Sequence, residues 1–105
     1  MKYEKIVGLL SMAQRANKVA SGERAILSAV QEHRVKLLLI AADAAVETRA
    51  AYEKLAAQNK IAVRCVMDRE SLGQCLGKSF RAAAAVLDSG FSKALEERII
   101  EAEKI

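Results

Sequence analysis

Ile6, Leu9, Leu10 and Ala13 recur at intervals of three and four, and this stripe predicts a helix over residues 3–15. Asn17 follows as a candidate C-terminal cap. Val19-Ala20-Ser21 reads as a short extended piece, and Ser21-Gly22 opens a second helix through Ala25, Ile26, Ala29 and Val30. Residues 35–42 form an unbroken aliphatic run that reads as a strand buried on both faces, ended by Asp43. A third helix is expected over 46–58, with Tyr52, Leu55 and Ala56 as its stripe and Asn59-Lys60 as the turn after it. Residues 61–67 read as a second buried strand. Asp68 then caps a short helix over 69–76 that stops at Gly77. Residues 82–87 read as a further core strand, and Ser89-Gly90 starts a last helix reaching about residue 102. Helix and strand alternate, so the expected fold class is α/β. The architecture would be a three-layer α/β/α sandwich around a mixed, mostly parallel sheet of about four strands.

Composition narrows this picture. Hydrophobic residues make up 52% of the chain and charged residues 29%, which suits a packed domain and excludes disorder. With two Phe, two Tyr and no Trp, the core must be built from small and aliphatic side chains. The length of 105 residues suits one domain, expected over 1–105. A chain of this size buries roughly 65% of its surface on folding, so it needs neither disulfide nor metal.

No apolar run approaches the length that spans a bilayer; the longest, 37–42, ends at Asp43. The N-terminal residues lack the apolar core of a signal peptide, so a cytoplasmic protein with no membrane association is expected. Cys65 and Cys75 have no paired spacing and His33 is the single histidine, so no metal and no cofactor are expected, and both thiols should be free. The absence of Pro and the five Gly leave no linker or low-complexity tract. A monomer is expected when the protein is free.

The net charge of +4 is unevenly placed. Residues 1–40 hold all of it, with Lys2, Lys5, Arg15, Lys18, Arg24, Arg34 and Lys36 against Glu4, Glu23 and Glu32. Residues 60–81 form a second basic stretch, and residues 88–104 are acidic on balance. A polyanion would therefore meet the start of the second helix and the 60–81 region, and would avoid the C-terminus.

Three loops could carry chemistry. Gly22 lies between a short strand and a helix start, where free N–H groups suit an acceptor and the missing side chain admits close approach. Glu23, Arg24 and Ser28 project from the turns that follow; the competing reading is a capped helix with a solvated face. The second loop, Gly77-Lys78-Ser79-Phe80-Arg81, is basic and carries one of the two Phe. Either Phe80 stacks on a base while Lys78 and Arg81 hold phosphates, or Phe80 folds into the core. At the third, Asp43 could be a helix cap or a contact residue.

Enzymatic arrangements are missing. His33 falls at a helix end, where a capping role suits it. No carboxylate pair, Ser-His or Cys-His arrangement is visible, and Ser21-Gly22-Glu23 lacks the second glycine of a nucleophile elbow. Gly73-x3-Gly77-Lys78-Ser79 is one residue short of a phosphate-binding loop and runs from helix to strand, the reverse of the required order.

Four stretches taken together are those of a known family. They are Ser21-Gly22-Glu23; Lys36-Leu37-Leu38-Leu39-Ile40-Ala41-Ala42-Asp43-Ala44; Leu72-Gly73-x3-Gly77-Lys78-Ser79; and Asp88-Ser89-Gly90-Phe91. Their order and spacing resemble the ribosomal protein L-seven-Ae / L-thirty-e superfamily, and most closely its small bacterial, ribosomal-protein-like branch, over essentially the whole chain. The resemblance implies an α/β/α sandwich that binds RNA, often a kink-turn, in which a bulge bends a duplex beside tandem sheared G·A pairs. In that family a Gly-x-Asn-Glu-x-x-Lys segment at the start of the second helix reads the sheared pairs, and a hydrophobic, basic loop after the fourth helix holds the bulged bases. Here Gly22 matches. Arg24 stands at the Asn position, Ala25 at the Glu position and Ser28 at the Lys position. A carboxylate acceptor and a cation are lost, while Arg24 adds a fork able to bond guanine O6 and N7. The bulge-base loop corresponds to residues 77–81, with Lys78 near the usual aliphatic position and Phe80 as a substitute for stacking.

The resulting expectation is a non-enzymatic, cytoplasmic RNA-binding protein of the translation apparatus, resembling a ribosomal protein. Its partner would be structured RNA, with kink-turn and ribosomal RNA as candidates, and no small-molecule substrate. The expected RNA-binding residues are Lys18, Ser21, Gly22, Glu23, Arg24, Ser28, Lys78, Ser79, Phe80 and Arg81. The alternative from another class is a protein-interaction adaptor on the translation machinery with reduced RNA readout.

Overall fold

The computed structural model describes residues 3–104; Met1 and Lys2, the latter counted above in the basic excess, lie outside it. The chain runs α1 (Glu4–Arg15), β1 (Val19–Ser21), α2 (Glu23–Gln31), β2 (Leu37–Ile40), α3 (Val46–Gln58), β3 (Ala62–Cys65), α4 (Arg69–Cys75), β4 (Ala83–Val86) and α5 (Ser89–Glu103). The strands form one sheet in the order β1-β4-β2-β3.

Period-two alternation sends the side chains of the central strands to opposite faces. Leu37, Leu39, Ala84 and Val86 meet Ile6 and Leu10 of α1, Leu72 of α4, and Leu95 and Ile99 of α5 on one face. Leu38, Ile40, Ala83 and Ala85 meet Ile26 and Val30 of α2 and Ala56 of α3 on the other. The expected three layers are present. Leu38, Leu39 and Ile40 stand opposite Ala85, Ala84 and Ala83 across the ladder, so large side chains are matched by small ones. Each buried Leu or Ile contributes about 1.5–3 kcal/mol. The aliphatic composition thus becomes one continuous core on either side of a thin central strand.

The sheet is mixed, but mostly antiparallel rather than mostly parallel. β2 pairs with β3 in parallel, whereas β4 is antiparallel to both β1 and β2. Only β4 is reversed; its central place turns two of the three ladders antiparallel. The cause lies in the connection before it. α4 is a seven-residue helix, and the chain after it doubles back until Arg81 N–H donates to the carbonyl of Arg69, at the start of the same helix. β4 therefore enters the sheet at the edge where β3 left it. An aliphatic run buried on both faces has the same composition whichever way it points.

Helix ends follow a repeated device. Asn17, His33, Lys60 and Gly77 each take a left-handed conformation just past a helix, with φ of 60°, 59°, 56° and 70°. At each, the residue's own N–H and the following N–H bond back to the last turn, as in Asn17 N–Gln14 O and Lys18 N–Ala13 O. The Asn17 cap is as expected, and His33 has the same structural task. A β-carbon in this region costs roughly 1–2 kcal/mol. Lys60→Gly should therefore raise stability by about 0.5–1 kcal/mol even after the extra chain entropy of glycine is counted, read as an increased urea midpoint with an unchanged m value; Lys60→Ala should give no gain.

Candidate nucleic-acid interface

The C-terminal ends of β1, β2 and β3 and the N-terminal end of β4 share one edge of the sheet, and all three loops singled out above lie there. Ser21 ends β1 and Gly22 is the N-cap of α2, with φ 88° and ψ 144°, a conformation open to glycine. No side chain caps this helix end, and apart from its chain neighbours nothing lies within 4 Å of where a Gly22 β-carbon would stand. The first turn of α2 is left with free N–H groups and the positive end of the helix dipole facing outward.

The 77–81 loop is held in shape by a second glycine. A β-carbon on Gly73 of α4 would sit 2.6 Å from the Ser79 carbonyl oxygen and 2.9 Å from Phe80 N. The Ser79–Phe80 peptide thus lies directly on α4. Gly77 makes the left-handed turn into this loop, with Lys78 N–H donating to the Gly73 carbonyl. Lys78 and Ser79 are exposed, and Phe80 projects with 58% of its surface accessible. Of the two readings left open above, folding into the core is thereby excluded.

Arg81 joins the two loops. Its Nε donates to Ser21 Oγ at 3.4 Å and its Nη1 to the Phe80 carbonyl at 2.9 Å. The guanidinium has five N–H donors, so the Nη2 group stays uncommitted beside the start of α2. Arg24 and Ser28 lie one turn apart on the exposed side of α2. Glu23 falls on the neighbouring row with Leu27 and lines a groove against α3. Lys18 is not part of this arrangement. It precedes β1 at the opposite end of the strand, where its carbonyl accepts from Leu87 N–H. Nine of the ten expected residues therefore gather around one edge, with Glu23 turned to its side.

Asp43 is a cap, but for a different helix from the one that follows it. Its Oδ1 accepts from Arg69 N at 2.8 Å and lies 3.6 Å from Arg69 Nε, so it fastens the end of β2 to the start of α4. Asp68 completes that helix start by accepting from Ser71 N at 2.7 Å. This hydrogen bond holds the Asp68 carboxyl below the usual carboxylate range. Gly73 and the Asp43–Arg69 clamp are the supporting parts missed in the list of expected residues. The Leu-Gly-x3-Gly spacing was the available signal for the first; nothing local signals the second, a contact across 26 residues.

Burial pushes the Cys75 thiol up, away from the thiolate form a nucleophile needs. Both cysteines are free. Among the described residues no cluster of three His, Cys, Asp or Glu could hold a metal ion, and no helix is long and apolar enough to cross a membrane.

Residues 4–96 match the model of the ribosomal protein L7Ae/L30e/S12e/Gadd45 family. The chain belongs to this family. Among its relatives is the RNA-binding protein YlxQ of Bacillus subtilis, 36% identical over 87 residues that make up 83% of this chain and 87% of the relative. The YlxQ protein of Enterococcus faecium is 24% identical over 91% of this chain and 92% of its own. Two solved structures superpose closely. A protein of unknown function from Bacillus halodurans gives a TM-score of 0.83 at 33% identity, covering 89% of this chain and 94% of its own. The 15.5kD RNA binding protein of Giardia lamblia gives 0.77 at 16% identity, covering 98% and 88%, and shares the fold.

Two tests follow from the geometry. Gly73→Ala should cost about 1–3 kcal/mol through overpacking and shift the amide resonances of Ser79 and Phe80, because their peptide must lift from α4. The native chain binds the ionised form of Asp68, so that stabilisation is complete above the ordinary carboxylate pKa and is lost as pH falls through the lowered native value. Asp68→Asn keeps a capping side chain without the charge. Urea unfolding from about pH 5 to pH 3, which brackets the ordinary carboxylate value, should show a shallower loss of stability in that variant than in the native protein.

Proposed function

We propose that this protein binds structured RNA across the edge formed by the first turn of α2 and the 77–81 loop, without catalysing a reaction. The observation that carries this reading is the Arg81–Ser21 contact, which makes one surface of two loops that lie 60 residues apart. On that surface Gly22 admits a backbone or base edge, and the free N–H groups of α2 donate to its oxygens. Arg24 bonds guanine edges or phosphate. Lys78 and the uncommitted part of Arg81 neutralise phosphates, Ser28 and Ser79 offer hydroxyls, and Phe80 stacks on an unpaired base. Lys18 serves as an outlying phosphate contact.

The preferred RNA is a bent duplex with an unpaired base, as in a kink-turn or a comparable element of ribosomal RNA, in a cytoplasmic translation setting. The RNA-binding YlxQ relatives support RNA as the partner, and the outward Phe80 supports an extruded base. Relative to the wider L7Ae pattern, discrimination moves from the Ala25 and Ser28 positions to Arg24, since each good bidentate base contact is worth roughly 1–3 kcal/mol.

Filter binding against a kink-turn duplex and a straightened control, over a range of salt, tests this. The kink-turn should bind more tightly. Phe80→Ala should cost about 1–3 kcal/mol on it and little on the straight control. Arg81→Lys keeps the charge but loses the contact to Ser21, and should weaken the kink-turn while leaving the salt slope nearly unchanged. Equal, strongly salt-dependent binding to both RNAs would remove the kink-turn preference; no binding to any structured RNA at low salt would remove the RNA reading altogether.

A further inference from the structure

The RNA reading leaves one concave surface unused. Between α2 and α3 runs a groove of about 390 Å³, lined by Leu27, Ala51, Tyr52 and Leu55 together with the carboxylates of Glu23 and Glu47. α3 turns little of itself inward: Ala56 is its one fully buried residue. On the facing helix Leu27 is 43% exposed. Among the described residues neither Glu23 nor Glu47 is ion-paired; the exposed Glu70, Glu97 and Glu103 share that state, but none of them lines this groove. The Glu23 charge reaches Tyr52, whose phenol is pushed up by burial first and by that carboxylate second. In a chain of net charge +4, this is an apolar trough under two unneutralised negative charges.

That combination selects its occupant. Phosphates are repelled, so the groove is not a continuation of the RNA surface. A purely apolar ligand would leave two carboxylates beside desolvated surface. A helix with one apolar face and flanking Lys or Arg side chains satisfies both features, in the helix-in-groove mode. We propose that the α2–α3 groove receives a basic amphipathic segment of a protein partner, with apolar residues against Leu27, Tyr52 and Leu55 and cations against Glu23 and Glu47. Because the Arg24–Ser28 row of α2 is adjacent to this row, RNA and protein would occupy neighbouring faces of one helix. The proposal does not depend on which RNA is bound, or on RNA being bound.

The test uses the full chain, isotopically labelled, titrated with a synthetic amphipathic Leu–Lys helix peptide and with a Leu–Glu peptide of the same pattern. The Leu–Lys peptide should bind saturably and shift amides within residues 23–27 and 47–55, and the Leu–Glu peptide should not. Glu47→Lys, an exposed site with no packing to lose, should weaken Leu–Lys binding about tenfold or more. Leu27→Asp should abolish it while RNA binding stays as in the native protein, so that a failed RNA reading and a failed groove reading give different results. Equal binding of both peptides, shifts scattered away from the groove, native affinity in both variants, absence of saturable binding, or self-association of the chain through this groove would each overturn the proposal.

Discussion

Where the Ser79–Phe80 peptide lies on Gly73, a β-carbon would stand 2.6 Å from a carbonyl oxygen. Backbone against backbone at this range lets the loop fold flat along α4 and return to Arg69. With the short α4, this close return places residues 78–81 beside the C-terminal ends of β1, β2 and β3, where β4 begins. Asp43 secures it from below by holding the start of α4 to the end of β2.

Upon this base the basic edge is assembled with little strain. Gly22 and Gly77 take the backbone conformations that the two loops require, and Arg81 spans them with hydrogen bonds to Ser21 and to the Phe80 carbonyl. An arginine fixed at two of its donors presents the rest in a set direction, which lowers the entropy lost on meeting a ligand. Charge and shape are separated across α2. The Arg24–Ser28 row accompanies the basic edge, and the Glu23–Leu27 row belongs to the groove. The acidic balance of residues 88–104 falls on α5, on the sheet face away from α2 and α3.

Much of this was legible in the chain because the signals are local. Three- and four-residue spacing marks α1 and α2, aliphatic runs mark β2 and β4, and Asp68 marks the start of α4 by a bond three residues long. The L7Ae-like spacing of Gly22, Gly73 and Gly77 also pointed to two loops that the fold brings together. Strand direction was not legible, since Ala83–Val86 is buried on both faces and reads the same either way. Nor was the pairing of Asp43 with α4, or of Arg81 with Ser21, because both join residues distant in the chain. Lys18 looked equivalent to the other cations on charge alone; the antiparallel pairing of β1 with β4 puts it at the far end of the strand.

The strand order has a consequence for how this chain survives at high concentration. A continuous aliphatic stretch such as Leu37–Ile40 would template edge-to-edge aggregation if it lay at the rim of the sheet. Both it and Ala83–Val86 occupy the two inner positions, paired on either side. The rim is left to β1, three residues long, and β3, four residues long with Arg64 among them. Such short edges, one of them carrying a charge, offer a passing strand few hydrogen bonds to copy. The strand order therefore hides the most aggregation-prone segments of the protein from other copies of itself.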